Sequence, residues 1–221
     1  MNMQWYVFAL VDTPPNGRLG RGLKGPVRAR PIAGAFAIVE RRADVPPAEL
    51  GSLRAHQAVV SRLATAAPAI LPVRFGTLME EDALEEALNE RDEEIAEAFA
   101  LVRHRAQFTW RRDQPSASRL PKTPTASGSP GGGAAYLQQA AKAANTPPPP
   151  VFSLLRDRLH VFVVRERFQP ATNGMPDTLY QLIEKTAIDR YRAMADALTL
   201  RTAGVTVSGP WAPFAFAPEL L

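Results

Sequence analysis

No cysteine occurs in the 221 residues, so disulfides, thiolate metal sites and cysteine nucleophiles are excluded together, and with them the small disulfide-stapled secreted scaffold. Histidine is scarce as well. The three copies, His56, His104 and His160, stand too far apart in sequence to show a ligand pair. No run approaches the roughly 18 to 20 apolar residues that a membrane helix needs. The opening Met1-Asn2-Met3-Gln4-Trp5-Tyr6 carries no basic n-region or long apolar h-region, so the expectation is a cytoplasmic chain, neither exported nor inserted in a membrane. Strings that announce chemistry are also missing. Without GxGxxG, GxxxxGK[ST], HExxH or GxSxG, dinucleotide, nucleotide, zinc-protease and α/β-hydrolase readings lose their support. The sequence predicts no catalytic residue, no cofactor and no metal.

What remains is the composition of a folding chain, 46% hydrophobic and 22% charged, far from the low-hydrophobicity signature of disorder. Its length fits two domains of about 100 residues each. The net charge of +4 hides a segregation: residues 80–97 hold ten acids and one base, Arg91, which leaves 25 bases against 12 acids elsewhere. Such a remainder could draw nucleic acid, an anionic membrane or an acidic protein. The bases are scattered, however, and no RNP-type or zinc-finger motif accompanies them, which favours a solvated mixed surface.

Along the chain, Trp5 to Asp12 is an apolar, aromatic run stopped by Asp12-Thr13-Pro14-Pro15-Asn16-Gly17, the pattern of a strand entering a turn. Residues 31–42 form a second apolar run that can pair with it. Leu53, His56, Val59, Val60 and Leu63 then recur at the spacing of one helical face. The stretch Ile70 to Leu78 is short and apolar and contains Pro72, which suits an edge strand. From Glu80 to His104 nothing breaks a helical rhythm of Leu84, Leu88, Ile95, Phe99 and Val102, so one long acidic amphipathic helix is expected.

A strand is predicted at Ala106–Arg112, then a Pro/Ser/Thr/Gly-rich loop, a helix at 134–144 and the four prolines 147–150. Beyond them come a short helix at 151–158, strands at 159–165 and 178–184, a helix at 187–200 and a strand at 204–208. From residue 106 the order is βαββαβ, the ferredoxin-like arrangement of two helices on one face of a four-stranded sheet. The fold class is therefore α+β in two small domains. An N-terminal α+β unit covers 1–79 and the acidic helix 80–104 links the domains. A ferredoxin-like unit covers 105–221, with a flexible loop at 113–133 and an apolar tail at 209–217.

Most candidate sites have a plainer reading. His56 lies on the apolar helix face, as a satisfied core imidazole does more often than a ligand or base. Gly131-Gly132-Gly133 before a helix is better a hinge than a phosphate cradle. Acid pairs such as Glu81 with Glu85, without a partner base, read as solvated surface. Two strings stand apart. Leu71-Pro72-Val73-Arg74-Phe75-Gly76-Thr77 sets an arginine in an apolar strand, which calls for an acid or carbonyl partner. Ser208-Gly209-Pro210-Trp211-Ala212-Pro213-Phe214-Ala215-Phe216 is a stiff aromatic tail that must dock on its own domain or on something else.

In this order, these strings resemble the gas vesicle protein F/L family: an LPxRFGT element after a helix carrying a histidine (His56, Leu71–Thr77), and a GPWPPYSF-like end (Pro210, Trp211, Phe214, Phe216). A Gly-x-x-Tyr-Leu helix start (Gly133, Tyr136, Leu137) and an aromatic first strand (Trp5 to Phe8) complete the match. Gln107 stands where the family has a glutamate, and Phe214 where it has tyrosine. The resemblance implies a two-domain α+β protein without enzymatic activity. It implies an accessory or minor structural role in forming gas vesicles, and contacts with the hydrophobic shell protein and with other accessory proteins. His56, Arg74, Phe75, Tyr136, Pro210, Trp211, Phe214 and Phe216 are the candidate partner-binding or family-motif residues. Two other readings stay open. One is a single-stranded nucleic-acid module that stacks bases on Phe108 and Trp110 beside Arg103, Arg105, Arg111 and Arg112. The other is a small-molecule site with Arg74 and His56 lining a cleft.

Overall fold

The structure, a computed structural model, describes residues 3–17, 19–32, 34–112, 147–172 and 175–219. Strand β1 (Gln4–Val11) is buried from Trp5 onward, as a continuous apolar run must be when both faces of its sheet are covered. The single run expected over 31–42 is two strands, β2 (Arg28–Ile32) and β3 (Ala35–Arg42), which pair antiparallel from Ile32 opposite Ala35. Gly34, at φ +70°, supplies the left-handed turn that reverses the chain there.

β1 pairs antiparallel with β3 on one side. On the other it pairs with two short strands, β4 (Ile70–Pro72) and β5 (Leu78–Met79). The order is β2-β3-β1-β4, with β5 also on β1, so the edge-strand expectation for this segment holds. Pro72 sits opposite Ala9 on that edge, where a missing N–H leaves no neighbouring strand unpaired.

Helix α1 (Leu50–Ala66) buries His56, Val59, Val60 and Leu63. Leu53, expected on the same face, is 41% exposed; at 3.6 residues per turn it lies about 70° off the centre of that stripe. The acidic segment is two helices rather than one, α2 (Glu81–Asn89) and α3 (Asp92–Val102). Arg91, at φ −127° and ψ 24°, interrupts them. The break lets α2 meet β2 while α3 meets β4. It also sets Asp92, Glu93 and Glu94 in the first turn of α3, where carboxylates favour the helix dipole.

Strand β6 (Arg105–Arg112) follows as expected. Helix α4 (Pro150–Leu159) opens on a proline at its first position, which needs no N–H partner there. It buries Phe152, Leu155 and Leu159 and continues into a 3-10 turn, His160–Phe162. The strand expected at 159–165 is displaced by that turn and becomes β7 (Val163–Gln169). Then come β8 (Thr178–Glu184), α5 (Ile188–Arg201) and β9 (Val205–Trp211), which extends into the predicted tail. The second sheet runs β7-β8-β6-β9. His104 with Lys185, and Arg112 with Asp177, pair through backbone bonds and make β6 and β8 antiparallel. Element order and strand order together are those of a ferredoxin-like sheet. The predicted loop 113–133 and the helix at 134–144, with Tyr136, lie outside the described residues.

Packing divides the chain into two compact units: Met1–Phe108 with Leu182–Thr186 and Gly209–Leu221, and Thr109–Gln181 with Ala187–Ser208. In the first, Tyr6, Phe8, Ile38, Val59, Val60, Leu63, Ile70 and Ala212 form the core. Trp110, Phe152, Leu155, Leu179 and Tyr191 are buried in the second.

The C-terminal end of α1 has no base in its own last turn. Lys185 supplies one, donating from Nζ to Ala64 O at 2.6 Å and Ala67 O at 3.1 Å. A cation on exposed helix carbonyls offsets the negative end of the dipole. Lys185→Met should therefore lower the unfolding free energy by about 1–2 kcal/mol, read as a shift of the urea midpoint at constant m value.

Candidate functional site

The Leu71–Thr77 string is a bulge loop, and each residue in it has a task. β4 and β5 both pair with β1, and residues 73–77 loop out between them. The Val73 N–H donates to Phe8 O and the Val7 N–H to Thr77 O, both at 3.0 Å. Phe8 is itself the position where the β1–β3 register shifts, so a bulge on each side of β1 releases its carbonyl to the loop. Thr77 Oγ1 donates to Arg74 O at 3.0 Å and closes the turn. Gly76 adopts φ +96°, a conformation that side chains resist.

That conformation aims the Gly76 N–H at the hydroxyl of Tyr6, 3.2 Å away, while Tyr6 donates to His56 Nδ1 at 2.8 Å. His56 therefore carries its proton on Nε2 when neutral. Phe75 closes the group, with ring centroids 5.7 Å from His56 and 6.2 Å from Tyr6. Burial pushes the His56 pKa down to about 4, against a smaller opposing effect of the Val73 backbone, and raises that of Tyr6. Nε2 makes no hydrogen bond of good geometry among the described residues. The imidazole is thus a neutral, packed acceptor, and the arginine is its opposite: the Arg74 side chain is 74% exposed and pairs with the Glu219 carboxylate. His56 is thus buried while Arg74 faces solvent.

The tail docks on its own unit. Gln107 Oε1 accepts the Ala215 N–H at 2.8 Å, and Ala212, Pro213 and Phe216 are buried. Gly209, at φ +138°, lies so close to β6 that a Cβ there would stand 2.8 Å from the Gln107 carbonyl. The Gly209–Pro210 peptide is cis. Trp211 and Phe214 stay 42% and 38% exposed. Through Arg74 and Glu219, and through Arg91, which donates to Glu219 O at 2.5 Å, the tail end and the arginine loop are tied together. The two strings that stood out in the sequence are neighbours in space.

Sequence reasoning missed Glu40. This carboxylate on β3 is 1% exposed and accepts the backbone N–H groups of Leu23, Lys24 and Gly25 at 2.6, 2.9 and 2.8 Å, with the Arg42 guanidinium 3.9 Å away. A Cβ at Gly22 would fall 2.1 Å from its oxygen, so the close-set glycines 20, 22 and 25 were the available signal. The stacking surface proposed for nucleic acid does not exist. Phe108 and Trp110 are 2% and 0% exposed, and Trp110 Nε1 donates to the Tyr191 hydroxyl; Gln107 and Thr109, on the other face of β6, are buried too, so the strand is covered on both faces. Among the described residues no group of three or more acids and histidines could hold a metal ion. Nor is any helix among them long and apolar enough to cross a membrane.

A family model described as gas vesicle synthesis protein GvpL/GvpF matches residues 4–218. The crystal structure of gas vesicle protein GvpF from Anabaena sp. PCC7120 superposes with a TM-score of 0.73 at 14% identity, over 98% of this chain and 97% of that one. That of GvpF from Microcystis aeruginosa gives 0.72 at 16% identity, over 97% and 99%. No curated protein sequence matches.

An imidazole with a pKa of about 4 in the fold and the ordinary 6.5 when unfolded takes up its proton preferentially in the unfolded chain. Stability contributed by neutral His56 is present above pH 6.5 and is lost as pH falls toward 4, by about 3 kcal/mol in all. Urea midpoints measured from pH 7 to pH 4 should fall more steeply in the wild type than in His56→Gln. Parallel curves would refute this account.

Proposed function

The chain belongs to the gas vesicle synthesis protein GvpL/GvpF family, and on that premise we propose that it serves gas vesicle assembly as a non-enzymatic accessory or minor structural protein. It does so by docking the hydrophobic shell protein, alongside other accessory proteins, on the face where the arginine loop and the C-terminal tail meet. The observation that carries this reading is the docked tail. Buried Ala212, Pro213 and Phe216 and the Gln107 bond hold the backbone, so two large aromatics are presented from a fixed platform rather than a loose end. An anchor that loses little freedom on binding contributes more net affinity.

Trp is among the residue types that dominate interface energies. Val45, 55% exposed, lies 3.7 Å from the Cβ position of Gly76 and adds apolar area beside the loop. Arg74 supplies a charge for the rim. A protein that polymerises through apolar surface is prone to aggregate before assembly, and a partner of this kind would cover that surface. The working compartment under this proposal is the cytoplasm, at the vesicle.

The test is co-expression with the shell protein, followed by pull-down and size-exclusion chromatography in high salt, where apolar contacts persist and ionic ones fade. Trp211→Ala with Phe214→Ala should weaken retention about tenfold or more while thermal melting is unchanged. Undiminished retention would remove the tail from the contact, and loss of fold together with retention would assign these aromatics to stability alone.

A further inference from the structure

Residues 13–39 carry five bases, Arg18, Arg21, Lys24, Arg28 and Arg30, and no acid. The basic stretch leads into β2, the edge strand of the first sheet. β3 pairs with one side of β2, and no described strand pairs with the other. The Arg74 loop stands across the sheet, where β4 and β5 flank β1.

The chain just before β2 shows which backbone groups face outward. The Val27 N–H donates to Gly20 O at 3.0 Å rather than to β3. Hydrogen-bonding direction alternates along a strand, so the Ala29 N–H and the carbonyls of Ala29 and Pro31 also point away from β3. Pro31 offers no donor and keeps the usable edge short. Side chains alternate as well. Val27 belongs to the core beneath α1 and Ala29 packs against it, whereas Arg28 and Arg30 lie on the face toward α2, where Arg30 pairs with Glu81. Arg41 approaches the same carboxylate at 3.9 Å, so one acid serves two arginines. Arg28 is exposed and has no acid partner among the described residues.

Along this edge lies an open groove of about 740 Å³. Pro14, Pro15, Leu19 and Ala29 give it an apolar lining, and Arg21 and Arg28 its uncompensated charge. We propose that the groove takes a short extended segment of an acidic partner protein, in which carboxylates alternate with small apolar side chains. Backbone pairing at Ala29 holds the segment. Every second side chain then lies beside Arg28 and Arg30, where a carboxylate is favoured across the strands, and those between meet Ala29 and Leu19. Because Glu81 already holds Arg30, Arg28 does most of the selecting. This contact is separate from the tail face and stands whether or not the shell protein docks there.

The probe is the peptide Ac-Gly-Glu-Val-Glu-Val-Glu-Gly-NH2, titrated into ¹⁵N-labelled full chain and followed by NMR. A saturable shift of the Ala29 amide is expected, with about tenfold weaker binding of the peptide that has Gln for Glu. N-methylation at the valines, whose backbone faces Ala29, should abolish binding, and N-methylation at the glutamates should spare it. Arg28→Glu should weaken the peptide about tenfold or more at an unchanged melting temperature. No saturable shift, equal binding of the Gln peptide, or equal sensitivity to the two methylations would overturn the proposal. Shifts of the same amides with oligothymidylate and none with the peptide would reassign the groove to nucleic acid. Concentration-dependent self-association that Arg28→Glu abolishes, without peptide binding, would reassign it to a second copy. Either result also overturns the proposal.

Discussion

The hydroxyl of Tyr6 is the group on which the first unit's site depends. It donates to a buried histidine on α1 and accepts from the backbone of a loop that interrupts the edge of the sheet. One oxygen thereby fixes helix, central strand and loop to each other. A buried hydroxyl with one partner missing would carry a desolvation cost comparable to a lost hydrogen bond. The three elements are therefore coupled: a glycine with φ > 0 is needed for the N–H to reach, and a neutral imidazole is needed to accept. Phe75 then fills the space that this geometry leaves.

This explains why a histidine embedded in a conspicuous motif need not do chemistry. Burial holds its pKa near 4, so at neutral pH the ring is uncharged. Its value lies in shape and in one lone pair. The charged member of the motif, Arg74, is turned outward to Glu219, so the motif divides into a buried half that holds the fold and an exposed half at the surface. The tail divides in the same way, with Phe216 turned inward and Trp211 and Phe214 outward.

Buried carboxylate and buried amide illustrate two outcomes of the same rule. Glu40 is satisfied by three backbone donors and an arginine, so its burial is stabilised locally and specifies the path of residues 22–25. Gln181 on β8, whose Oε1 accepts from the Tyr191 hydroxyl, is satisfied on that side only among the described residues. Buried polar groups are normally paired, which makes this amide an exception.

Local sequence determined a good deal. Apolar runs located β1, β6 and β8, the helical stripe from His56 to Leu63 located α1, and the order βαββαβ gave the second sheet its class, because these signals depend only on which faces must leave water. The strings around Arg74 and Trp211 were recognisable as exceptional because arginine in an apolar strand and aromatics between prolines are costly without a purpose. Tertiary structure alone decided the rest. It split the acidic helix at Arg91, since α2 and α3 serve different strands, and it delayed β7 by a 3-10 turn. It buried Trp110 where stacking was imagined, and it brought the Arg74 loop to Glu219 across 145 residues of chain. Such outcomes turn on which surfaces meet, and side-chain pairings over that distance leave no trace in local periodicity.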